Sequence, residues 1–410
     1  MLKLDFEWQS LLKIAIEKST LNFARDPLSS SFQIPLPYLH SHFLIITLWK
    51  MTGLHMEHKT GDPPLAPPGT QFNQFIINKM LALGGFGQVF DATKIGADDD
   101  QIIVKLESTK AKIQLLYNET SCLRTLNQVY NPYKECGNEP FLKYYGYGML
   151  GDLRFLVMEK CGANLRDLKA ATTLNRFSIL TSLWIFYKMI SSLEKMHNVG
   201  WLHRDVKPAN FCIGLTNQKM LYTLDFGMSR CYVAEDGSLK PRKISAPFHG
   251  TLRYVSLNIH RRQDASRWDD IWSAYYIAIE NMVGFLPWRR LGSVEAVMKT
   301  KANSDLQSLR YGREATQPRS LEIASNYLST SIENDSYFYT PPPYKLLLNE
   351  INNDFTQRNA NLNTITLDWT CIQYPPTYQY NHHTPQKKSC GAARANVDRF
   401  QGGDRSVRFY

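Results

Sequence analysis

Nowhere in its 410 residues does the chain carry an apolar run able to span a membrane, a cysteine pair at metal-binding spacing, or a surplus of acid. Its apolar runs, residues 43–49 among them, are far short of the roughly 20 residues a membrane helix needs. Lys3, Asp5 and Glu7 place charge where the apolar core of a signal peptide begins, so none is expected. Cysteines stand at 122, 136, 161, 212, 231, 371 and 390, without a CxxC pair or a His/Cys cluster. Neither a zinc site nor a disulfide framework is therefore expected. The tandem His382-His383 sits in a polar tail and is too little to hold a metal by itself. These absences lead to the expectation of a soluble protein of the cytoplasm or the nucleus, acting as a monomer.

What is present is an ordinary globular composition, 43% hydrophobic and 20% charged, with 47 Lys and Arg against 37 Asp and Glu, a formal charge of +10. Such an excess suits nucleic acid, or acidic and phosphorylated protein. No recognised RNA- or DNA-binding module accompanies it, and nucleic acid is not expected as the main partner.

Residues 61–69 (Gly61-Asp62-Pro63-Pro64-Leu65-Ala66-Pro67-Pro68-Gly69) read as a linker that sets off an N-terminal extension, 1–68, with a short amphipathic helix over 8–24. A tail from about 372 to 410, basic and rich in Tyr, Pro and Gln, reads as disordered. Between them the pattern changes once. Strand-like runs at 80–83, 88–93, 102–106 and 155–158 surround one helical stretch at 111–127. Beyond Asn164 helical spacing dominates: Ile179, Leu183, Phe186, Ile190 and Leu193 form a stripe, and 270–283 is apolar almost all round. A β-rich part followed by an α-rich part predicts an α+β protein of two lobes.

Chemistry concentrates at four places. Gly84-Gly85-Phe86-Gly87 lies between two strands, where glycines let backbone N–H groups approach phosphate. The pattern is incomplete, because Ala82 takes the first glycine position of G-x-G-x-x-G, and a plain turn explains it as well. Lys105 sits in a strand, and Glu119 falls within the apolar stripe of the following helix. A carboxylate on an inward face needs a partner, and Lys105 is the natural one, with Glu107 competing for it. His203-Arg204-Asp205-Val206-Lys207-Pro208-Ala209-Asn210 then offers a carboxylate to take a hydroxyl proton, a lysine to neutralise a moving phosphoryl group, and an amide oxygen suited to Mg²⁺. Asp225-Phe226-Gly227 supplies a second ligand of that kind. In this order the motifs match the protein-kinase signature set.

The segment His249-Gly250-Thr251-Leu252-Arg253-Tyr254-Val255-Ser256-Leu257-Asn258-Ile259-His260 stands where most kinases have Ala-Pro-Glu. It resembles the G-T-x-R-Y-x-S-x-N-x-H signature of the casein kinase 1 superfamily. Trp268-Asp269-Asp270-Ile271-Trp272-Ser273 and Gly284-Phe285-Leu286-Pro287-Trp288-Arg289 look most like its tau-tubulin kinase branch. The resemblance covers about 69–370 and implies the bilobal protein kinase fold. Residues 69–161 would form a small β-rich N-lobe with one helix and the hinge, and 162–371 a larger, mainly helical C-lobe. It implies ATP and Mg²⁺ as cofactors. Leu83, Gly84, Gly85, Phe86, Gly87 and Val89 would cover the nucleotide, with Lys105 on its phosphates and Glu119 as the helix partner. Met158 would be the gatekeeper, with Glu159 and Cys161 along the adenine edge. Asp205 would be the base, Lys207 its neighbour in transfer, and Asn210 and Asp225 the metal ligands. Asp270 would brace the catalytic loop.

Lys207, two residues after Asp205, is the serine/threonine pattern. The superfamily favours acidic or pre-phosphorylated protein substrates, which leads to the expectation of an anion pocket built from Arg253 with Lys240, Arg242 and Lys243; a solvated basic face is the alternative. Ser229, Ser238 and Ser245 lie in the loop where many kinases are phosphorylated. The rival to an active serine/threonine kinase is a pseudokinase used as a scaffold, and Ala82 is what favours it.

Overall fold

Residues 64–371 are described by a computed structural model, apart from 85–86, 98–100, 134–138, 307–316 and 334. The helix expected over 8–24, most of the extension, the tail from 372, Gly85 and Phe86 lie outside the described residues.

Period-two burial makes the first half a sheet. Strands β1 (Gln71–Phe72), β2 (Phe75–Gly84), β3 (Gly87–Lys94), β4 (Ile102–Ser108), β5 (Tyr144–Leu150) and β6 (Leu153–Glu159) pair antiparallel in the order β1-β2-β3-β4-β6-β5. One face buries Phe90, Ala92, Val104 and Leu106 with Phe72, Phe75, Ile77 and Phe155. Residues directly opposite one another across strands share a face. Ala82, Val89, Lys105 and Leu156 therefore form a row on the other face, crossing β2, β3, β4 and β6. β5 was not among the strand-like runs of the sequence; Gly146 and Gly148 and its exposed Tyr145 and Met149 blur the alternation.

The end of the Pro/Gly stretch is not a free linker. Ala66 is buried in the sheet's core, the Leu65 amide donates to Gln88 Oε1 (2.6 Å), and the Gly69 amide donates to Ile77 O (2.8 Å). Helix α1 (Leu116–Val129) starts later than residue 111. Glu107 Oε1 accepts the amides of Leu115 (2.6 Å) and Leu116 (3.0 Å), so a carboxylate satisfies free donors at the start of the helix.

The second half is helical: α2 (Leu165–Ala171), α3 (Ile179–Asn198), α4 (Leu257–His260), α5 (Arg267–Val283), α6 (Val294–Asn303), α7 (Arg319–Glu333) and α8 (Tyr344–Gln357). Two short hairpins accompany them, β8 (Phe211–Ile213) with β9 (Leu221–Thr223) and β7 (Trp201–Leu202) with β10 (Arg230–Cys231). Helix α5 is buried from Trp268 to Met282 and packs on α3, with Ile271, Tyr275 and Ile277 wholly enclosed. Trp369 stacks edge-on against Phe177 and Trp184, at 5.6 and 5.8 Å, and secures the last described turn. A third cluster joins the two halves: Leu116, Leu123 and Leu126 of α1 meet Leu156 and Met158 of β6, Met196 of α3, and Phe226. Among the described residues no helix is long and apolar enough to cross a membrane, and no cluster of three or more His, Cys, Asp or Glu is arranged to hold a metal such as zinc.

His260 in α4 is buried, and both its ring nitrogens lack a partner. Burial, with Lys301 and Arg262 nearby, pushes its imidazole down to about 3 from an ordinary 6.5. Between those values the unfolded chain binds a proton that the folded chain refuses. Stability from this residue is therefore complete above pH 6.5 and is lost as pH falls towards 3. At pH 5 the loss comes to about 2 kcal/mol. Urea unfolding at pH 7 and pH 5 checks this: His260→Gln should lose about 2 kcal/mol less than the wild type on acidification, and equal losses would refute it.

Candidate active site

The cleft-side row of the sheet brings Lys105 over α1, where its amine meets Glu119 Oε2 at 2.6 Å. Glu107, the competing carboxylate, is engaged with the first amides of α1 and lies 3.6 Å from Arg154. Asp225 Oδ1 is 3.5 Å from the same lysine. Burial works against the Lys105 charge, but Glu119 and Asp225 more than reverse this and hold the amine above its ordinary value. Burial likewise works against the Asp225 charge; Lys105 and Lys207 outweigh it and keep the carboxylate below its usual range. Asp225 takes the left-handed conformation, φ 62°, which turns its side chain to the cleft as Phe226 enters the interlobe cluster. Asn118 Nδ2, on α1, lies within 3.1 Å of the carbonyls of Phe226, Gly227 and Ser229.

The His203–Asn210 motif is held from below. Asp270 of α5 accepts the His203 amide on Oδ2 and the Arg204 amide on Oδ1, each at 2.8 Å, and His197 Nε2 lies 2.9 Å from Oδ2. Arg204 adopts φ 67°, a strained value for a residue other than glycine, and those contacts fix it. Asp205 emerges with Oδ2 at 2.6 Å from Lys207 Nζ and Oδ1 accepting from Thr251 Oγ1 at 2.8 Å. Asp205 opposes burial and holds the Lys207 amine above its ordinary value. Asn210 Nδ2 donates to Asp205 O (2.9 Å), which leaves the amide oxygen as the end to offer a cation.

The donor set fits a nucleotide with a divalent cation: an ionised Asp225, an oriented Asn210 oxygen, and two protonated lysines over one cleft. Gly84 pairs with Gly87 at the β2–β3 turn. Gly87 has a structural reason to be glycine, since a Cβ there would lie 2.4 Å from Leu106 O. Val89 and Ala82 lie in the Lys105 row, and Leu83 pairs with Gln88. Met158 is buried in the interlobe cluster. Glu159 and Cys161 follow it into the connection to the helical half, where Lys160 N donates to Gln101 O and Gly162 N to Ile213 O, both at 2.8 Å.

The four basic residues expected to share one pocket have different partners. Arg253 Nη1 lies 3.4 Å from Glu280 and its guanidinium covers the Tyr254 ring. Lys240 Nζ donates to Cys231 O, the Arg242 amide to Tyr339 Oη, and the Lys243 amide to Asp264. Sequence reasoning missed the hub that Arg253 joins: buried Glu280 also accepts from Lys169 Nζ and Tyr254 Oη, each at 2.8 Å. Glu280 lies on the all-buried helix α5, and a carboxylate there was the available signal. Burial and neighbouring Arg230 push the Arg204 guanidinium down to about 10, while Arg230 forms a two-pronged pair with Asp264. Ser229 in the same loop is buried, whereas Ser238 is exposed and bonded to Asp236.

A family match and three relatives bear on this geometry. The protein kinase domain family matches the chain over residues 75–359. A Dictyostelium discoideum protein carrying the name serine/threonine-protein kinase is 36% identical over 235 residues, 56% of this chain and 46% of that protein. A Caenorhabditis elegans protein carrying the name casein kinase I is 33% identical over 242 residues, 58% of this chain and 68% of its own length. The serine/threonine-protein kinase spe-6 of the same nematode is 31% identical over 237 residues, 57% and 61% of the two chains. The match thus takes in less than half of the Dictyostelium protein.

The Lys105–Glu119 contact gives a stability test independent of turnover. Lys105→Met leaves Glu119, 4% exposed, without its counter-ion, and should cost about 3 kcal/mol in urea unfolding. Adding Glu119→Gln should restore more than half of that loss; strictly additive costs would refute the coupling.

Proposed function

The chain belongs to the protein kinase family, whose members use ATP and a divalent metal on protein substrates, and from that footing we propose that it is an active serine/threonine kinase. The observation that carries this reading is the meeting of Lys105, Glu119 and Asp225 on one side of the cleft with Asp205, Lys207 and Thr251 on the other. ATP, when bound, supplies the phosphoryl group, with Mg²⁺ to draw its phosphates together. Lys105, kept protonated by its two carboxylates, binds phosphate oxygens. Asn210 and Asp225 would hold the cation, offering two hard oxygens of the kind Mg²⁺ takes. Asp205 orients the substrate hydroxyl and takes its proton, while Lys207 offsets negative charge on the group in transfer. Thr251 keeps Asp205 turned to the groove.

Within the family we assign the chain to the casein kinase 1 superfamily, on the segment Gly250 to His260 and the nematode relative of that name, and to its tau-tubulin branch on the residues around Trp268 and Trp288. Substrates are acidic or already phosphorylated proteins read by Arg253. Its side chain is 36% exposed and only loosely paired, at 3.4 Å, so it has capacity for an anion. The pseudokinase reading stands on Ala82 alone, and a methyl group in the turn strand removes no charge that transfer needs.

Incubation with Mg·ATP and casein or tubulin should label serine and threonine at least about 100-fold faster than Asp225→Asn; a wild type no faster than that control would favour the scaffold. Arg253→Ala should depress use of acidic peptides by about 10-fold and spare neutral ones, and equal loss on both would remove the anion role.

A further inference from the structure

Lys301, in the last turn of α6, is buried without a carboxylate partner among the described residues. Its Nζ donates to Leu252 O at 2.9 Å and Val255 O at 2.6 Å, and it lies over the rings of Tyr276 and Trp288, 5.1 and 5.3 Å from their centroids. Trp288 Nε1 donates to the carbonyl between them in the same segment, Arg253 O, at 2.8 Å. Three carbonyls of residues 252–255 are thus bound from beneath. One end of the segment, Thr251, bonds to Asp205, and the segment presents Arg253.

Packing does not account for a lysine here. A methionine would fill similar space without taking an amine out of water. What the amine adds is donation to two backbone oxygens that would otherwise be buried without partners. Burial pushes this amine well below its ordinary value. Two carbonyls need only two of its hydrogens, so the contact persists in the neutral form as well.

We infer that Lys301 is a positioning residue that fixes segment 251–255 as the protein-substrate platform and so governs use of the protein substrate rather than of ATP. The inference rests on the kinase reading above. Its geometry adds a requirement: the platform keeps its place only while Leu252 O and Val255 O are held together.

The test compares the wild type, Lys301→Met and Lys301→Gln in the full chain. Lys301→Met should lower kcat/KM for casein about 30-fold, mainly through KM, with the KM for ATP within about twofold. The amide of Lys301→Gln retains donors and should recover part of the loss. Hydrogen exchange provides a readout without turnover. The amides of Tyr254 and Val255, which donate to Thr251 O at 2.8 and 3.1 Å, should exchange faster in Lys301→Met, while those of α5 stay protected. Unchanged exchange at 254–255 would overturn the inference whether or not the wild type proves active. So would a loss that falls equally on ATP and protein. A wild type inactive towards casein, with faster exchange in the variant, would sink the kinase reading and leave the platform contact standing.

Discussion

A carboxylate removed from water must be surrounded by donors, and Asp270 meets that demand by drawing the backbone onto itself. It lies on α5, the most enclosed helix, and its two oxygens take the amides of His203 and Arg204 together with the His197 ring. Those bonds hold Arg204 in a left-handed conformation that a side chain of its size would not choose unaided. Asp205 follows at once, so the direction of its carboxylate is set by a charge buried in the helical core. Thr251 and Lys207 then refine an orientation already imposed from the core.

The site is assembled from separate parts of the chain by one repeated device: a buried charge is stabilised by groups from a distant segment. Lys105 and Glu119 link sheet and helix across 14 positions, and Glu280 gathers Lys169 and Tyr254 from 111 and 26 positions away. Each contact is strong only because water is excluded, and each would be costly if one member were missing. Hydrophobic packing brings the elements together, while these pairs specify the register in which they meet.

Much of this was legible because the chemistry is local in sequence. Asp205, Lys207 and Asn210 fall within one short motif, and the cavity-facing row through Lys105 follows from the two-residue period of β3 and β4. β5 escaped because its glycines and exposed tyrosines erase that period. Residues 64–69 read as linker from composition, yet Ala66 is small enough to enter the core and Gln88 waits for the Leu65 amide. What Arg253 itself meets was not legible either, because Glu280 comes from α5, 27 positions further on, and only the fold brings the two together. The start of α1 was likewise set by a tertiary contact, Glu107 on its first amides, which helix propensity does not encode.

Asn118 shares two amide hydrogens among three carbonyls of the Phe226–Ser229 turn, so α1 and that turn are fastened as one piece. A small molecule that works by prising Phe226 out of the interlobe cluster must strip those carbonyls of their donor and open a dry pocket in the same event. Compounds that leave the turn undisturbed and occupy only the open cleft face no such penalty.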